Sequence, residues 1–529
     1  MLDKAAVIAA ASIAFLTSPA SAQYVLSQGG TSGVNAMQMT VASNTSVLII
    51  DKYEQNPLLD ASGSHALASL YYTLTDKVRA LNMKTNSFCA TGTWLSNGTL
   101  AHAGGNPMVS IGSSSSANGL QGMRLFNSCA DDGACDFYES PQRIRLTSPR
   151  WYPSSCRLPD GSSLIFGGAF GGGWTNFKEL NNPTYEYFPP KNINGYNGVQ
   201  IPSQFLIDSL PHNMFPHMIA TLKEWEISSQ SPASKQCSRM ALDSAGIAAG
   251  WTTEEMPDAR VMPDATILPD GKILIVNGAK SGTAGYGNVQ GQVGQSNADN
   301  PAFTPVLYDP AAPAGSRFSS VGMPTSKIAR MYHSVSTLLP DGRVMIAGSN
   351  PNAEVETRPY KTEYQVEYIS PPYMTKARPS YSGLPATWDY KQQIVLSMTL
   401  PATLNAPTML CSLMDLGFST HGVHMDMRMV KLPCSIGSNR KTLIVTGPPN
   451  ANIYPPGPGW LFVSANGVPS KAQRVLIGTG GSPPVDQGAI DKWVLLASIP
   501  LRRMLTTICK KKPAREDRWT IITGLQFIC

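Results

Sequence analysis

The sequence predicts an all-β protein, a β-propeller followed by a β-sandwich, and three observations carry that prediction. A turn-and-strand unit recurs four times before residue 350, and about a hundred residues of short alternating strands follow it. Only 14% of the 529 residues are charged, whereas 46 are Gly and 42 are Pro, a balance that favours short strands and tight loops over long helices. The chain is too long for one core, so two or more domains are expected. A 42% hydrophobic share with low net charge excludes intrinsic disorder.

In chain order, residues 1–22 read as a secretory signal peptide. Lys4 precedes an apolar run from Ala5 to Leu16, and Ala20-Ser21-Ala22 supplies small residues before Gln23. The run is too short to span a bilayer, and no later segment is long enough. Residues 23–370 carry the repeat. Leu95-Ser96-Asn97-Gly98, Leu158-Pro159-Asp160-Gly161, Leu268-Pro269-Asp270-Gly271 and Leu339-Pro340-Asp341-Gly342 are each followed by a five-residue strand and a small-residue exit. Those exits are Gly104-Gly105, Gly167-Gly168, Asn277-Gly278 and Gly348-Ser349. Gly in each turn supplies positive φ, and radially arranged blades let every sheet bury its faces against neighbours. The wide gap between 158 and 268 has room for one more unit with a degraded turn signal.

Residues 371–478 contain alternating runs, Gln393–Met398, Met427–Leu432 and Trp460–Ser464, between proline turns, and these predict the sandwich. Residues 479–529 show neither repeat nor alternation and form an atypical tail. That tail holds eight Lys/Arg against four Asp/Glu, so most of the net charge of +6 lies there. The remainder is near neutral without a basic stripe, which argues against nucleic-acid binding.

A secreted chain with nine cysteines should pair most of them. Cys129 and Cys135 bracket a short turn that a local disulfide could close, and a Cys411–Cys434 bridge would clamp the hairpin around Ser419-Thr420-His421. Cys156, Cys237, Cys509 and Cys529 have no obvious partners. Cys89 makes the count odd, which calls for special chemistry or an external partner. Asn44-Thr45-Ser46 and Asn97-Gly98-Thr99 are glycosylation tripeptides.

Only seven histidines occur. Tyr332-His333 lies just before one repeat turn, and Tyr152 precedes another: Tyr152 to Leu158 and Tyr332 to Leu338 are both six residues apart. Equivalent strands would aim these side chains into one axial channel, and the loop at His421 could reach it from the sandwich. Imidazoles with phenolate oxygens suit a borderline transition metal, copper especially. A tyrosine or histidine alone in such a place is usually packing, and spacing by itself does not prove convergence.

Ser87-Phe88-Cys89-Ala90, Arg150-Trp151-Tyr152-Pro153, Ala329-Arg330-Met331-Tyr332-His333-Ser334 and Ser419-Thr420-His421-Gly422-Val423-His424-Met425 together resemble the glyoxal oxidase family, within the galactose-oxidase-like copper radical oxidases. Glu254-Glu255-Met256-Pro257 and the run Asn277–Gly285 add to the likeness, which extends from about Asn35 to Gly478. The resemblance implies a kelch-like, seven-bladed propeller followed by an immunoglobulin-like sandwich that supplies one histidine. It implies a thioether between Cys89 and the ring of Tyr152, which would consume the odd cysteine and make Tyr152 the seat of a stored radical. Tyr152, Tyr332, His333 and His421 would bind Cu(II), with Tyr332 as the base that takes the substrate's proton. A bare tyrosine has a pKa of ~10, so metal is needed to hold a phenolate near neutral pH. Phe170 stands where an aromatic would shield the radical ring, with ordinary channel packing as the rival reading. His424 is left out of the ligand set.

The function implied is a secreted, extracellular or cell-wall oxidase that converts small aldehydes such as glyoxal or methylglyoxal to carboxylic acids and reduces O2 to H2O2, which peroxidases could use. An aldehyde would react as its hydrate, and no nicotinamide or flavin is needed. The alternatives are a primary-alcohol or galactose-type oxidase of the same chemistry, and a non-catalytic propeller binding glycans or cell-wall polymers. The sequence departs from the family pattern between residues 217 and 237, where the chain is too short for a further blade unit, and again after Gly478.

Overall fold

The computed structural model describes residues 23–112, 114–131, 133–173, 175–215, 227–404, 406–497 and 526–528. The apolar start read as a signal peptide, residues 217–226 of the segment that departs from the family pattern, and Cys509 and Cys529 of the tail lie outside them. The described chain is mostly β, built from many antiparallel sheets.

Each recurrent turn joins the first two strands of a four-stranded antiparallel sheet. The first such sheet runs Thr91–Trp94, Thr99–Ala103, Met123–Asn127 and Phe137–Glu139, and the second runs Ser154–Arg157, Ser163–Phe166, Thr184–Phe188 and Ile201–Pro202. A third contains Asp264–Ile267, Ile273–Val276, Val306–Tyr308 and Phe318–Ser319. In the fourth, Ser334–Leu338, Val344–Gly348 and Gln365–Ser370 are completed by the N-terminal strand Val25–Thr31, with Val25 opposite Ser370. The turn glycines Gly98, Gly161, Gly271 and Gly342 have φ of 79°, 82°, 88° and 98°, the left-handed region that Gly enters without steric cost.

One further sheet was not signalled by a Leu-x-Asp/Asn-Gly turn. It comprises Gln38–Val41, Ser46–Ile50, Ala68–Tyr72 and Lys77–Leu81. Gln236–Met240 pairs with Thr252–Glu255 and Gln526–Ile528 in a smaller sheet inside the wide gap between repeats. First strands of neighbouring sheets touch: Gln38–Val41 meets Ser334–Leu338, which meets Asp264–Ile267, and Thr91–Trp94 meets Ser154–Arg157.

Beyond residue 371, two sheets share one apolar core that includes Trp388, Leu396, Leu413, Leu443, Leu461 and Val463. Strand Gln393–Thr399 alternates exposed and buried positions as its sequence predicts. Strand Gly457–Ala465 does not alternate, because both its faces are covered. Leu461 and Val463 enter the sandwich core, whereas Trp460 and Phe462 pack with Leu268, Leu274 and Val344 of the repeat sheets. An ion pair between buried Arg157 and Asp415 crosses the same boundary. The expected disulfides Cys129–Cys135 and Cys411–Cys434 are present, Cys237 is also disulfide-bonded, and Cys89 and Cys156 are free. After Gly478, helix Gln487–Ala497 docks through buried Ala489 and Trp493. No helix among the described residues is long and apolar enough to cross a membrane.

Candidate metal centre

The hairpin Phe418–Thr420/Val423–Met425 leaves the sandwich and adds two strands to the sheet of Gln38–Val41, with Gln38 opposite Thr420 and Met39 opposite Ser419. Its second strand touches both Ser154–Arg157 and Asp264–Ile267, so its tip, His421-Gly422, lies among the first strands of several sheets. Side-chain hydrogen bonds hold it there: the Thr420 hydroxyl donates to the Met37 carbonyl at 3.0 Å and the Ser419 hydroxyl donates to Asp264 at 2.6 Å. Gly422 is required, since φ is 75° and a Cβ would come 2.7 Å from the Pro263 carbonyl oxygen.

Four of the five residues expected to meet at this tip share a local conformation. Cys89, Tyr152, His333 and His421 have φ of 57°, 59°, 63° and 53°, positions where bulky residues are uncommon and cost about 1–3 kcal/mol each. Surrounding contacts hold them. The Tyr152 amide donates to the Cys89 carbonyl at 3.1 Å, and the Phe215 amide donates to the Tyr152 carbonyl at 3.0 Å. Buried Arg150 and Arg330, paired with Glu186 and Glu367, donate to the exit carbonyls of Gly167 and Gly348.

The structure corrects how the repeats align. By spacing, Tyr332 was set equivalent to Tyr152. The backbone instead equates His333 with Tyr152 and Met262: all three are left-handed, and each stands six residues before its Leu. The preceding carbonyls of Trp151, Val261 and Tyr332 accept amides from Ala169, Ala279 and Asn350 in the same way. One extra residue in Arg330–His333 relative to Arg150–Tyr152 shifts the count, so Tyr332 reaches the centre from the neighbouring position.

Convergence itself is met. The ligand atoms of Cys89, His333 and His421 lie within 4.8 Å of one another, and the Tyr152 and Tyr332 hydroxyls are 2.5 Å apart. The Cys89 sulfur is 3.3 Å from His421 Nε2, and Cys89 packs in one apolar cluster with Tyr152. His424 turns elsewhere, with Nε2 donating to the Leu416 carbonyl and Nδ1 3.7 Å from Asp264, in keeping with its omission from the ligand set. Phe170 is 39% exposed. The rings against Tyr152 are Trp151 at 4.2 Å, Phe215 at 4.9 Å, His421 at 5.1 Å and Phe88 at 6.5 Å between centroids. Phe215 was missed, because its role rests on a left-handed backbone at the edge of the segment that lacks the repeat.

Tautomers follow from the partners. His333 Nδ1 can only donate to the Asn350 carbonyl, at 3.0 Å, so the Nε2 lone pair is free, and that buried nitrogen has no hydrogen-bond partner. The Thr420 hydroxyl spends its proton on Met37, so it accepts from His421 Nδ1 at 2.6 Å and leaves His421 Nε2 as a second lone pair. An orphaned imidazole nitrogen beside a second imidazole and two phenols is a donor set that fits copper.

Electrostatics agree with a site waiting for a cation. Burial pushes the His421 pKa down to about 3, and burial with the neighbouring His421 and Lys52 takes His333 well below the ordinary imidazole value. Burial raises Tyr152 and Tyr332 well above the usual phenol value, so both are neutral without metal. Because His421 is neutral when folded and titrates near ~6.5 when unfolded, acidification below that value costs stability until its folded pKa is reached. Relative to a His421→Gln variant, the metal-free parent should therefore lose about 2 kcal/mol between pH 7 and pH 5. Denaturant midpoints of both proteins at the two pH values check this, and an unchanged difference would contradict a neutral, buried His421.

Comparisons with known proteins place the two parts of the chain in known families. Residues 51–221 and 217–373 match the family described as "Glyoxal oxidase N-terminus", in two stretches that meet where the sequence departs from the pattern. Residues 378–477 match "Galactose oxidase-like, Early set domain". The chain is 28% identical over 480 residues to the aldehyde oxidase GLOX of Vitis pseudoreticulata, covering 76% of this chain and 84% of that one. It is 28% identical to the aldehyde oxidase GLOX1 of Arabidopsis thaliana, with 76% and 73% covered. A solved structure of a fungal alcohol oxidase of the AA5 family in complex with copper superposes with a TM-score of 0.58 over 86% of this chain and 98% of that one, at 16% identity, a likeness of fold.

Proposed function

This chain belongs to the glyoxal oxidase family of copper radical oxidases, and on that premise we propose that it oxidises small aldehydes to carboxylic acids while reducing O2 to H2O2. The observation that carries the reading is the meeting of two imidazole lone pairs, two phenols and one thiol from four separate stretches of chain. The curated relatives named aldehyde oxidases support the aldehyde class over alcohols.

His333, His421, Tyr152 and Tyr332 would hold the copper, whose chemistry there is to polarise a substrate oxygen and to take up one of the two electrons. Cys89 would not be a ligand. Its side chain packs in one cluster with Tyr152, and a bond from its sulfur to the ring would lower the cost of removing an electron from it. The Tyr152 ring, half-buried against Trp151, Phe215 and Phe88, would hold the unpaired electron and remove a hydrogen atom from the substrate carbon. Tyr332, with its oxygen 2.5 Å from that of Tyr152, takes the hydroxyl proton of the hydrated aldehyde.

The four-stranded sheets are read as blades of a kelch-like propeller around the hairpin tip, closed by the N-terminal strand in the last blade. The apolar start and the disulfides support a secreted protein acting outside the cell or in the cell wall, where peroxidases can use the product. The test is peroxide release from copper-loaded protein with glyoxal, methylglyoxal, simple primary alcohols and galactose. Aldehydes should be turned over fastest. Faster turnover of alcohols or galactose would overturn the substrate class, and no peroxide from any of them would favour a binding module.

A further inference from the structure

The second strand of four sheets exits into small residues, but that of the fifth, Ser46–Ile50, exits into Asp51-Lys52. This is the only one of the five sheets that places a charged pair at that position, and the charge is not solvated. Lys52 is 3% exposed and Glu54 2%. The Lys52 ammonium donates to the carbonyls of Asn352 at 2.6 Å and Ala353 at 2.9 Å, lies 3.3 Å from Glu54 Oε2, and stands over the rings of Tyr286 at 5.3 Å and Phe88 at 5.8 Å. Glu54 in turn accepts from Asn350 Nδ2 at 2.8 and 3.1 Å.

Three of these partners, Asn350, Phe88 and Tyr286, touch His333. The Asn350 carbonyl takes its Nδ1 proton, Phe88 meets its ring edge-on at 5.6 Å, and Tyr286 lies 6.3 Å from it and 6.3 Å from Tyr332. A buried ion pair is weak evidence for stability, since well-packed neutral groups of the same volume often do as well or better. Groups that orient a metal-bound imidazole through its second nitrogen, in contrast, commonly matter for metal affinity.

We propose that Lys52 and Glu54 are a positioning pair for the metal centre, fixing segment 350–353 and the Phe88 and Tyr286 rings so that His333 Nε2 is aimed at the metal. The inference rests on the copper reading of the site. Burial pulls the Lys52 pKa down, but the facing groups, Glu54 foremost, outweigh it and leave it raised.

The test is the double variant Lys52→Met/Glu54→Gln, which removes both charges together and keeps side-chain length and an acceptor for Asn350. Its metal-free melting temperature should stay within a few degrees of the parent. Its copper dissociation constant, by chelator competition, should rise about ten- to a hundredfold, and the copper hyperfine splitting in the EPR spectrum should change. Glu54→Gln alone should shift the same spectrum less. A superimposable EPR spectrum with copper affinity within about twofold of the parent overturns the proposal, whether or not the melting temperature falls. A parent that binds no copper at all is a different failure, that of the copper reading itself, and takes this inference with it.

Discussion

Tyr332→Phe lowers kcat by about 10³-fold, within the range that a positioned general base contributes, while the protein still binds one copper. The hydroxyl removed is the one 2.5 Å from the Tyr152 oxygen. Both imidazole lone pairs remain, because His333 stays oriented by the Asn350 carbonyl and His421 by Thr420. The phenyl ring also keeps its packing, stacked 3.9 Å between centroids on His333. Copper stoichiometry and kcat measured on the same preparation check the expectation. Turnover within tenfold of the parent, with copper bound, would show that the proton goes elsewhere.

Cys89→Ala has an effect at least as large, a loss of about 10³-fold or more in kcat, equivalent to roughly 4 kcal/mol of barrier. The side chain is fully buried and its thiol is held protonated by burial, so it offers little as a nucleophile or ligand in its own right. Its value is its place beside Tyr152, where a carbon–sulfur bond would spread the unpaired electron beyond the phenol. Copper should still bind the variant, because His333 and His421 keep their orienting partners, so copper stoichiometry and kcat measured together separate loss of the sulfur from loss of the metal. Parental turnover in the Cys89→Ala protein would remove sulfur from the account.

Much of this was legible in the chain because the repeated four-stranded sheets write their turns into sequence. Leu-Pro-Asp-Gly fixes a glycine with positive φ, the strand after it, and thereby the strand before it that carries the site. The odd cysteine count pointed to a leftover thiol, but Cys89 and Cys156 are both free, so it was the resemblance that singled out Cys89. What escaped was information that strings of residues do not hold. The one-residue expansion in Arg330–His333 hid that His333, not Tyr332, is the counterpart of Tyr152, although His333 to Leu339 repeats the six-residue spacing. Strand Gly457–Ala465 reads as featureless because both faces are buried, one against each part of the molecule. Phe170 looked like the shield by its distance from Gly167-Gly168, but the covering rings come from Trp151 beside Tyr152 and from Phe215, far off in the count. Lys52 was detectable only as the absence of a small residue at a position whose equivalence the turn motif did not mark.

Peptide mapping of the purified protein, loaded with copper in air, addresses the central convergence most directly. The account predicts a single species in which the segment around Cys89 is bonded to the segment around Tyr152, lighter by the pair of hydrogens lost, and without an alkylatable thiol at Cys89. A fully copper-loaded protein whose Cys89 still reacts as a free thiol, with Tyr152 unmodified, would contradict it.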